Sequence, residues 1–165
     1  MSLQSRHRIS ISFAFLFVIG SWAAWAASPL NQVRLPTSEI AALAKGGAGA
    51  GTSGVVGIQT TVLSGDPSSA GPYTIALRVP PHTIIAAHTH RDDRSAVVVS
   101  GTWWFGYGSV NLPEQLKALG PGSFYTEPGG VAHFARTEDE PAVVYITGVG
   151  PTDTHYVDKV TDPRH

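Results

Sequence analysis

HTHRDDRSAVVVSG at residues 88–101 and GSFYTEPGGVAH at residues 122–133 are the two most informative segments of this chain. Successive side chains of a β-strand point to opposite faces, so His88 and His90 project from the same face. His133 follows a tight Pro-Gly-Gly turn that can bring it over this pair. Three neutral imidazoles on rigid strands would form a site for a divalent metal. The alternative is that His-Thr-His is a polar strand face in contact with solvent.

The regions around these segments read as short strands separated by turns. The chain has 18 Gly and 12 Pro in 165 residues, and many short strands with such turns predict an all-β sandwich or barrel. We expect strands at residues 55–63, 73–79, 84–90, 95–100, 103–107, 123–127, 132–136 and 142–149. Two short helices are expected, one capped by Thr37 and Ser38 and ending at Lys45, the other spanning Pro113 to Leu119.

The N-terminal residues have the pattern of an export signal. Arg6 and Arg8 precede the apolar run 9–19, and small residues end the segment at Ala26. We therefore expect residues 1–26 to be a signal peptide and the protein to be periplasmic or secreted, with no membrane association after cleavage. An uncleaved membrane anchor is the alternative. The remaining 139 residues would have a formal charge of −3.

The mature chain divides by composition into three parts. Residues 27–54 form a leader with a short helix and a Gly-rich loop, residues 55–150 form the barrel, and residues 151–165 form a polar tail. The Gly-rich loop contains G-x-G-x-x-G, but a dinucleotide-binding turn needs a strand before it and a helix after it, and here the order is reversed.

Composition excludes several classes of protein. The chain has no Cys, which excludes disulfide scaffolds, thiolate metal sites and cysteine nucleophiles. Charged residues are 14% of the total and the formal net charge is −1, so we expect no nucleic-acid partner. Any bound metal must be held by His and carboxylate side chains.

Together the two segments resemble the signature motifs of the cupin superfamily. Residues 82–101 contain the His88-x-His90 pair and the closing Gly of the first motif. Residues 122–133 match the second motif, G-x5-P-x-G-x2-H, at every position. The resemblance covers about residues 55–148 and implies a jelly-roll barrel of two antiparallel sheets.

The chain departs from the family pattern at three positions. His82 stands at the opening Gly of the first motif, Arg94 at its acidic metal ligand, and Thr137 at the Asn that often closes the second motif. Arginine stays protonated and does not bind metals, so the fourth family ligand is missing. Asp92 or Asp93 would replace it only if the turn between the strands has a suitable shape.

The resemblance implies metal binding by His88, His90 and His133. The metal would be divalent, and iron, zinc, manganese and nickel all suit such ligands. Three neutral ligands leave its charge uncompensated, which favours an anionic ligand, and a nearby Arg94 would add to that preference. The alternatives are that Arg94 forms a surface ion pair with a neighbouring Asp, and that this chain has lost its metal.

Two functions remain open at this stage. The first is a metal-dependent enzyme acting on a small molecule, for which an oxygenase, an isomerase and a lyase are all candidates. The second is a non-catalytic small-molecule-binding or sensor cupin, similar to the sensory cupin of ChrR-type anti-sigma factors. We expect the side chains of Trp103 and Trp104 to pack in the core and in a homodimer interface. The alternative is that they line a substrate pocket. Tyr125 and Glu127 would be proton donors or bases if they point inward, and the sequence assigns neither.

Overall fold

The computed structural model describes residues 30–165, and these residues form two antiparallel five-stranded sheets. The predicted signal peptide at 1–26 lies outside the described residues. Within residues 30–165, no helix is long and apolar enough to span a bilayer.

One short helix, α1 (Thr37–Ala42), precedes the strands. The strands are β1 (Gln59–Ser64), β2 (Gly71–Val79), β3 (Ile84–Thr89), β4 (Arg94–Ser100), β5 (Trp103–Tyr107), β6 (Lys117–Leu119), β7 (Phe124–Glu127), β8 (His133–Arg136), β9 (Ala142–Gly150) and β10 (His155–Tyr156). Single 3-10 turns lie at Pro113–Gln115 and Lys159–Thr161.

The two sheets interleave along the chain. One has the strand order β1-β2-β9-β4-β7 and the other the order β10-β3-β8-β5-β6, so consecutive strands often lie in different sheets. The expected all-β jelly roll is confirmed, although the two sheets do not close into a continuous barrel.

The core lies between the inner faces of the sheets. On β9 the buried and more exposed side chains alternate along the strand, as expected when one face of a sheet packs against another layer. The main apolar cluster consists of Ile58, Tyr73, Ile75, Leu77, Val79, Ile85, Ala96, Val98, Trp103, Phe105, Tyr125, Ala135, Ala142, Val144 and Ile146. Trp103 therefore belongs to the core, whereas Trp104 is only half-buried and lies against Arg136.

Both predicted helices are shorter than expected. The backbone carbonyl of Pro36 accepts hydrogen bonds from Glu39 and Ile40, so Pro36 is the N-cap and the expected side-chain cap does not form. The segment predicted as a second helix makes a single 3-10 turn and then forms β6. Its residues 117–119 pair with β5, and these inter-strand bonds replace those of a helix.

The C-terminal segment is more ordered than its polar composition suggests. β10 pairs with β3 and places Tyr156 opposite His88. Thr152, Thr154 and Tyr156 are buried, whereas the His155 side chain is 73% exposed. This segment therefore packs directly beside the histidine-bearing strand.

Candidate metal centre

Three buried histidines meet between the sheets. His88 on β3 lies directly opposite His133 on β8, and His90 follows the last residue of β3. Their ring centroids are 4.4 to 5.1 Å apart, and one nitrogen from each ring lies within 4.8 Å of the others. The structure thus brings together the three residues that the sequence selected.

Backbone carbonyls fix the orientation of all three imidazoles. Each Nδ1 atom lies within hydrogen-bond distance of a carbonyl oxygen, which needs Nδ1–H as the donor and leaves Nε2 unprotonated, as an acceptor. These oxygens belong to Ala86 at 2.7 Å, Asp153 at 2.5 Å and Val131 at 3.1 Å from His88, His90 and His133, respectively.

Burial keeps these histidines neutral. Burial, with a smaller effect from His133, lowers the pKa of His88 to about 3. Burial and the nearby Arg94 lower the pKa of His90 to about 2, and burial also lowers the pKa of His133. A neutral imidazole is the form that binds a metal, so the site needs no deprotonation at neutral pH.

An arginine–glutamate pair adjoins the histidines. Arg94 on β4 is paired across the ladder with Glu127 on β7, and both side chains are about 5% exposed or less. Arg94 donates from Nε to Glu127 Oε2 over 2.6 Å, and its Nη2 forms an ion pair with the same oxygen. Arg94 Nη2 donates in addition to His90 Nε2 over 2.7 Å. Arg94 is therefore a buried part of the site and not a surface ion-pair residue.

The charge of Glu127 is compensated within the protein. Burial alone would raise the pKa of Glu127, but the Arg94 guanidinium and the adjacent imidazoles outweigh it and lower the pKa to about 2. Burial alone would lower the pKa of Arg94, but the effect of the Glu127 carboxylate is larger and raises this pKa. Both groups stay ionised, so the pair adds no net charge and Arg94 gives no support for an anionic substrate.

The two aspartates before Arg94 do not reach the histidines. The carboxylate of Asp92 accepts hydrogen bonds from Tyr73 Oη at 2.8 Å and from Thr152 Oγ1 at 2.5 Å. The carboxylate of Asp93 accepts a hydrogen bond from the Gly129 backbone amide at 2.8 Å and stabilises the turn before His133. Their role here is to shape the loops around the site.

The Gly-rich segment closes one side of the site. Three buried side chains donate hydrogen bonds to consecutive carbonyl oxygens of residues 51–53. The donors are Arg94 Nη1 to Gly51 at 2.7 Å, Thr154 Oγ1 to Thr52 at 3.0 Å and Tyr156 Oη to Ser53 at 2.7 Å. The space left beside the histidines is about 20 Å³, enough for an ion or one water molecule.

A larger groove lies on the other side of an aromatic wall. It has a volume of about 370 Å³ and is lined by residues of β5, β6 and β7, with Lys117 among them. Phe105 and Tyr125, whose ring centroids are 4.3 Å apart, line both this groove and the histidine cavity. The groove and the histidine cavity therefore share this aromatic wall.

Two participants were not found from the sequence. The sequence suggests Glu127 as a proton donor or base but does not predict which way its side chain points. Its place opposite Arg94 depends on the pairing of β4 with β7. The Asp153 carbonyl that orients His90 lies in the segment interpreted as a polar tail. The available signal for Glu127 was an acidic residue within the second motif, in a chain that lacks the acid of the first motif.

Similarity to known proteins is detectable at the level of structure. No protein-family model matches the sequence, and no curated protein matches it. An RmlC-like cupin from Shewanella frigidimarina aligns over 73% of this chain and 92% of its own, with a TM-score of 0.53 and 15% identity. The polyketide cyclase RemF from Streptomyces resistomycificus aligns over 64% of this chain and 75% of its own, with a TM-score of 0.52 and 18% identity.

The protein has the cupin fold. A DMSP lyase structure also aligns, over 57% of this chain, with a TM-score of 0.48 and 21% identity. This chain spans about half the length of that lyase. At these identities the likeness establishes the cupin fold alone, so function must be argued from the site.

The donor set of this cupin-fold protein fits a divalent metal. Three neutral imidazoles direct Nε2 acceptors into the cavity. His90 Nε2 accepts a hydrogen bond from Arg94, whereas His133 Nε2 is buried with no hydrogen-bond partner among the described residues. An unpaired buried acceptor is costly, and a cation in the cavity would relieve that cost. Binding at all three nitrogens requires Arg94 Nη2 to leave His90 Nε2.

Proposed function

We propose that this protein is an exported cupin that binds a divalent metal through His88, His90 and His133. The observation that carries the proposal is the convergence of three neutral imidazoles whose tautomers are fixed by backbone carbonyls. Fixed orientation of the ligating histidines is a common property of protein metal sites, because it sets the basicity and direction of the metal-binding nitrogen.

The bound metal would supply Lewis-acid or redox chemistry to a small molecule. Nitrogen ligands of this kind suit iron, zinc, manganese and nickel, and oxygenase, isomerase and lyase activities are all compatible with the set. The protein's own contribution is to hold the imidazoles neutral and to exclude bulk water with the hydrogen bonds to residues 51–53.

The groove beside β6 and β7 supplies room for the small molecule. The histidine cavity of about 20 Å³ is too small for an organic ligand, whereas the groove of about 370 Å³ is in the range of small-ligand sites. Movement of Tyr125 and Phe105 would connect the two spaces. Lys117 on the groove is a cation that an anionic substrate would contact, in addition to the metal itself.

A non-catalytic binding or sensor cupin is the second candidate. The small volume of the histidine cavity favours it, because a space of about 20 Å³ admits no organic substrate unless Gly51–Ser53 or the aromatic wall moves. Chemical change of a bound small molecule supports the enzyme, whereas binding without change supports the sensor.

Export and dimerisation complete the proposal. Residues 1–26 would direct the chain to the periplasm or outside the cell, and the mature protein would form a homodimer. Mass spectrometry of protein recovered from the periplasmic fraction tests cleavage after Ala26, and sedimentation analysis tests the dimer.

Elemental analysis tests metal binding. Protein purified without chelator should contain about one equivalent of a divalent metal, and His88→Ala should lose it. The His82→Ala variant is a matched control, since this exposed side chain pairs with Asp139 at the surface. A metal content below about a tenth of an equivalent after reconstitution would refute the proposal.

A further inference from the structure

We propose that Glu127 is the fourth protein ligand of this metal site and replaces the acidic ligand missing from the first motif. This inference rests on the proposed metal binding by the three histidines. It assigns to the site a residue of β7, whereas the missing ligand belongs to the position now held by Arg94 on β4.

The first support is the position of the carboxylate relative to the imidazoles. Glu127 Oε2 lies 3.7 Å from His90 Nε2 and 3.7 Å from His133 Nε2. Ligand atoms bound at 2.0–2.1 Å around a tetrahedral ion are separated by about 3.4 Å. Small side-chain adjustments therefore suffice for the carboxylate and both imidazoles to share one ion.

The second support is the exchange of charges across the ladder. Arg94 and Glu127 are direct cross-strand partners, so their side chains project from the same face of the sheet into the cavity. An acid at position 127 instead of position 94 therefore still places a carboxylate in this cavity. The first motif lacks its acidic residue, but the folded site contains the carboxylate of Glu127.

The third support is an excess of hydrogen-bond acceptors. The three Nε2 atoms and Glu127 Oε2 are all acceptors, and Arg94 is the cation that reaches two of them, His90 Nε2 and Glu127 Oε2. His133 Nε2 has no partner among residues 30–165. The cavity thus has more hydrogen-bond acceptors than donors, and buried acceptors without partners are costly. A second cation, in addition to Arg94, would satisfy the remaining acceptors.

Arg94 is then a positioning residue that competes with the metal. Its contact with His90 Nε2 occupies one of the coordinating lone pairs, whereas its contacts with Glu127 hold the carboxylate in the cavity. Metal binding would displace the guanidinium from His90 and leave it hydrogen-bonded to Glu127 and to Gly51.

Zinc affinity measured by chelator competition at neutral pH tests the proposal. Glu127→Gln should bind Zn²⁺ at least about tenfold more weakly than wild type. Glu138→Gln is the matched control, because Glu138 pairs with Arg136 at the surface, and its affinity should equal that of wild type. If Glu127→Gln does not fold, Arg94→Gln/Glu127→Gln removes the carboxylate without leaving an unpaired buried cation. Because the double variant also removes the guanidinium that competes with the metal, its affinity is compared with that of Arg94→Gln, and the same loss relative to that variant is expected.

The Co²⁺ absorption spectrum separates a ligand from a positioning residue. Loss of a bound carboxylate should change the visible bands of the Co²⁺-saturated variant, whereas loss of a residue that only orients the histidines should leave them unchanged. Wild-type affinity and spectrum in the Glu127 variants, with metal still lost in His88→Ala, would overturn this inference and leave the three-histidine site standing. Absence of metal binding in wild type itself would refute both proposals.

Discussion

Replacing Arg94 by Gln should strongly destabilise the metal-free protein. Arg94 and Glu127 are 5% and 4% exposed, and Glu127 Oε2 faces two imidazole lone pairs. Removing one member of a buried ion pair leaves the other charge without compensation, at a cost of about 3–5 kcal/mol. That loss is comparable to the whole stability of a marginal domain, which begins at about 5 kcal/mol.

The double variant makes this prediction quantitative. Arg94→Gln/Glu127→Gln removes both charges together and leaves no uncompensated buried charge, so it should cost less than either single variant. Urea unfolding in the presence of a chelator, followed by tryptophan fluorescence, measures all four proteins of the cycle. If the double variant costs as much as the two single variants combined, the two residues are not coupled and the interpretation of the buried pair is wrong.

Three further predictions concern single features of the fold. The pKa of His88 is lowered by burial from 6.5 to about 3, so below pH 6.5 the unfolded chain binds a proton that the folded one does not. Chemical denaturation of metal-free protein should therefore show a loss of about 2 kcal/mol from this residue between about pH 7 and about pH 5, and a pH-independent stability would contradict it. His82 is an exposed residue with φ of 53°, which lies in the left-handed region that Gly tolerates. His82→Gly should therefore raise the free energy of unfolding by about 1 kcal/mol. A decrease in the free energy of unfolding would show that the imidazole has an unrecognised role. Gly51 has φ of 68°, and a Cβ there would overlap the side chain of Thr152, so Gly51→Ala should lower the melting temperature. Gly49→Ala is the control, because its Cβ would meet no atom within 4 Å and the melting temperature should not change. Equal effects of the two substitutions would show that residues 51–53 are not held as described.

Much of the fold was predictable because its strands carry local signals. β2, β4, β5 and β9 were predicted close to their observed bounds, since each is a run of β-branched or aromatic residues bounded by Gly, Pro or Ser. The segment Lys117–Leu119 was predicted as helix and is a strand, because its conformation depends on pairing with β5, which no local pattern records.

The candidate site divides in the same way. The sequence selected His88, His90 and His133 from an H-x-H pair, whose shared face follows from strand geometry, and from a turn followed by His. It did not predict their direct partners, because the carbonyl of Asp153 reaches His90 across 63 residues of chain. Contacts of that separation are set by how the sheets pack.

By itself the sequence determined an all-β cupin-like chain with three grouped histidines and no acid at the usual position of the first motif. The tertiary structure alone decided that Arg94 is buried, that Glu127 faces it across the β4–β7 ladder, and that residues 51–53 cover the site. The physical reason is that alternation and turns are properties of neighbouring residues. The charge balance of a buried site depends on the register between strands that lie far apart in the chain.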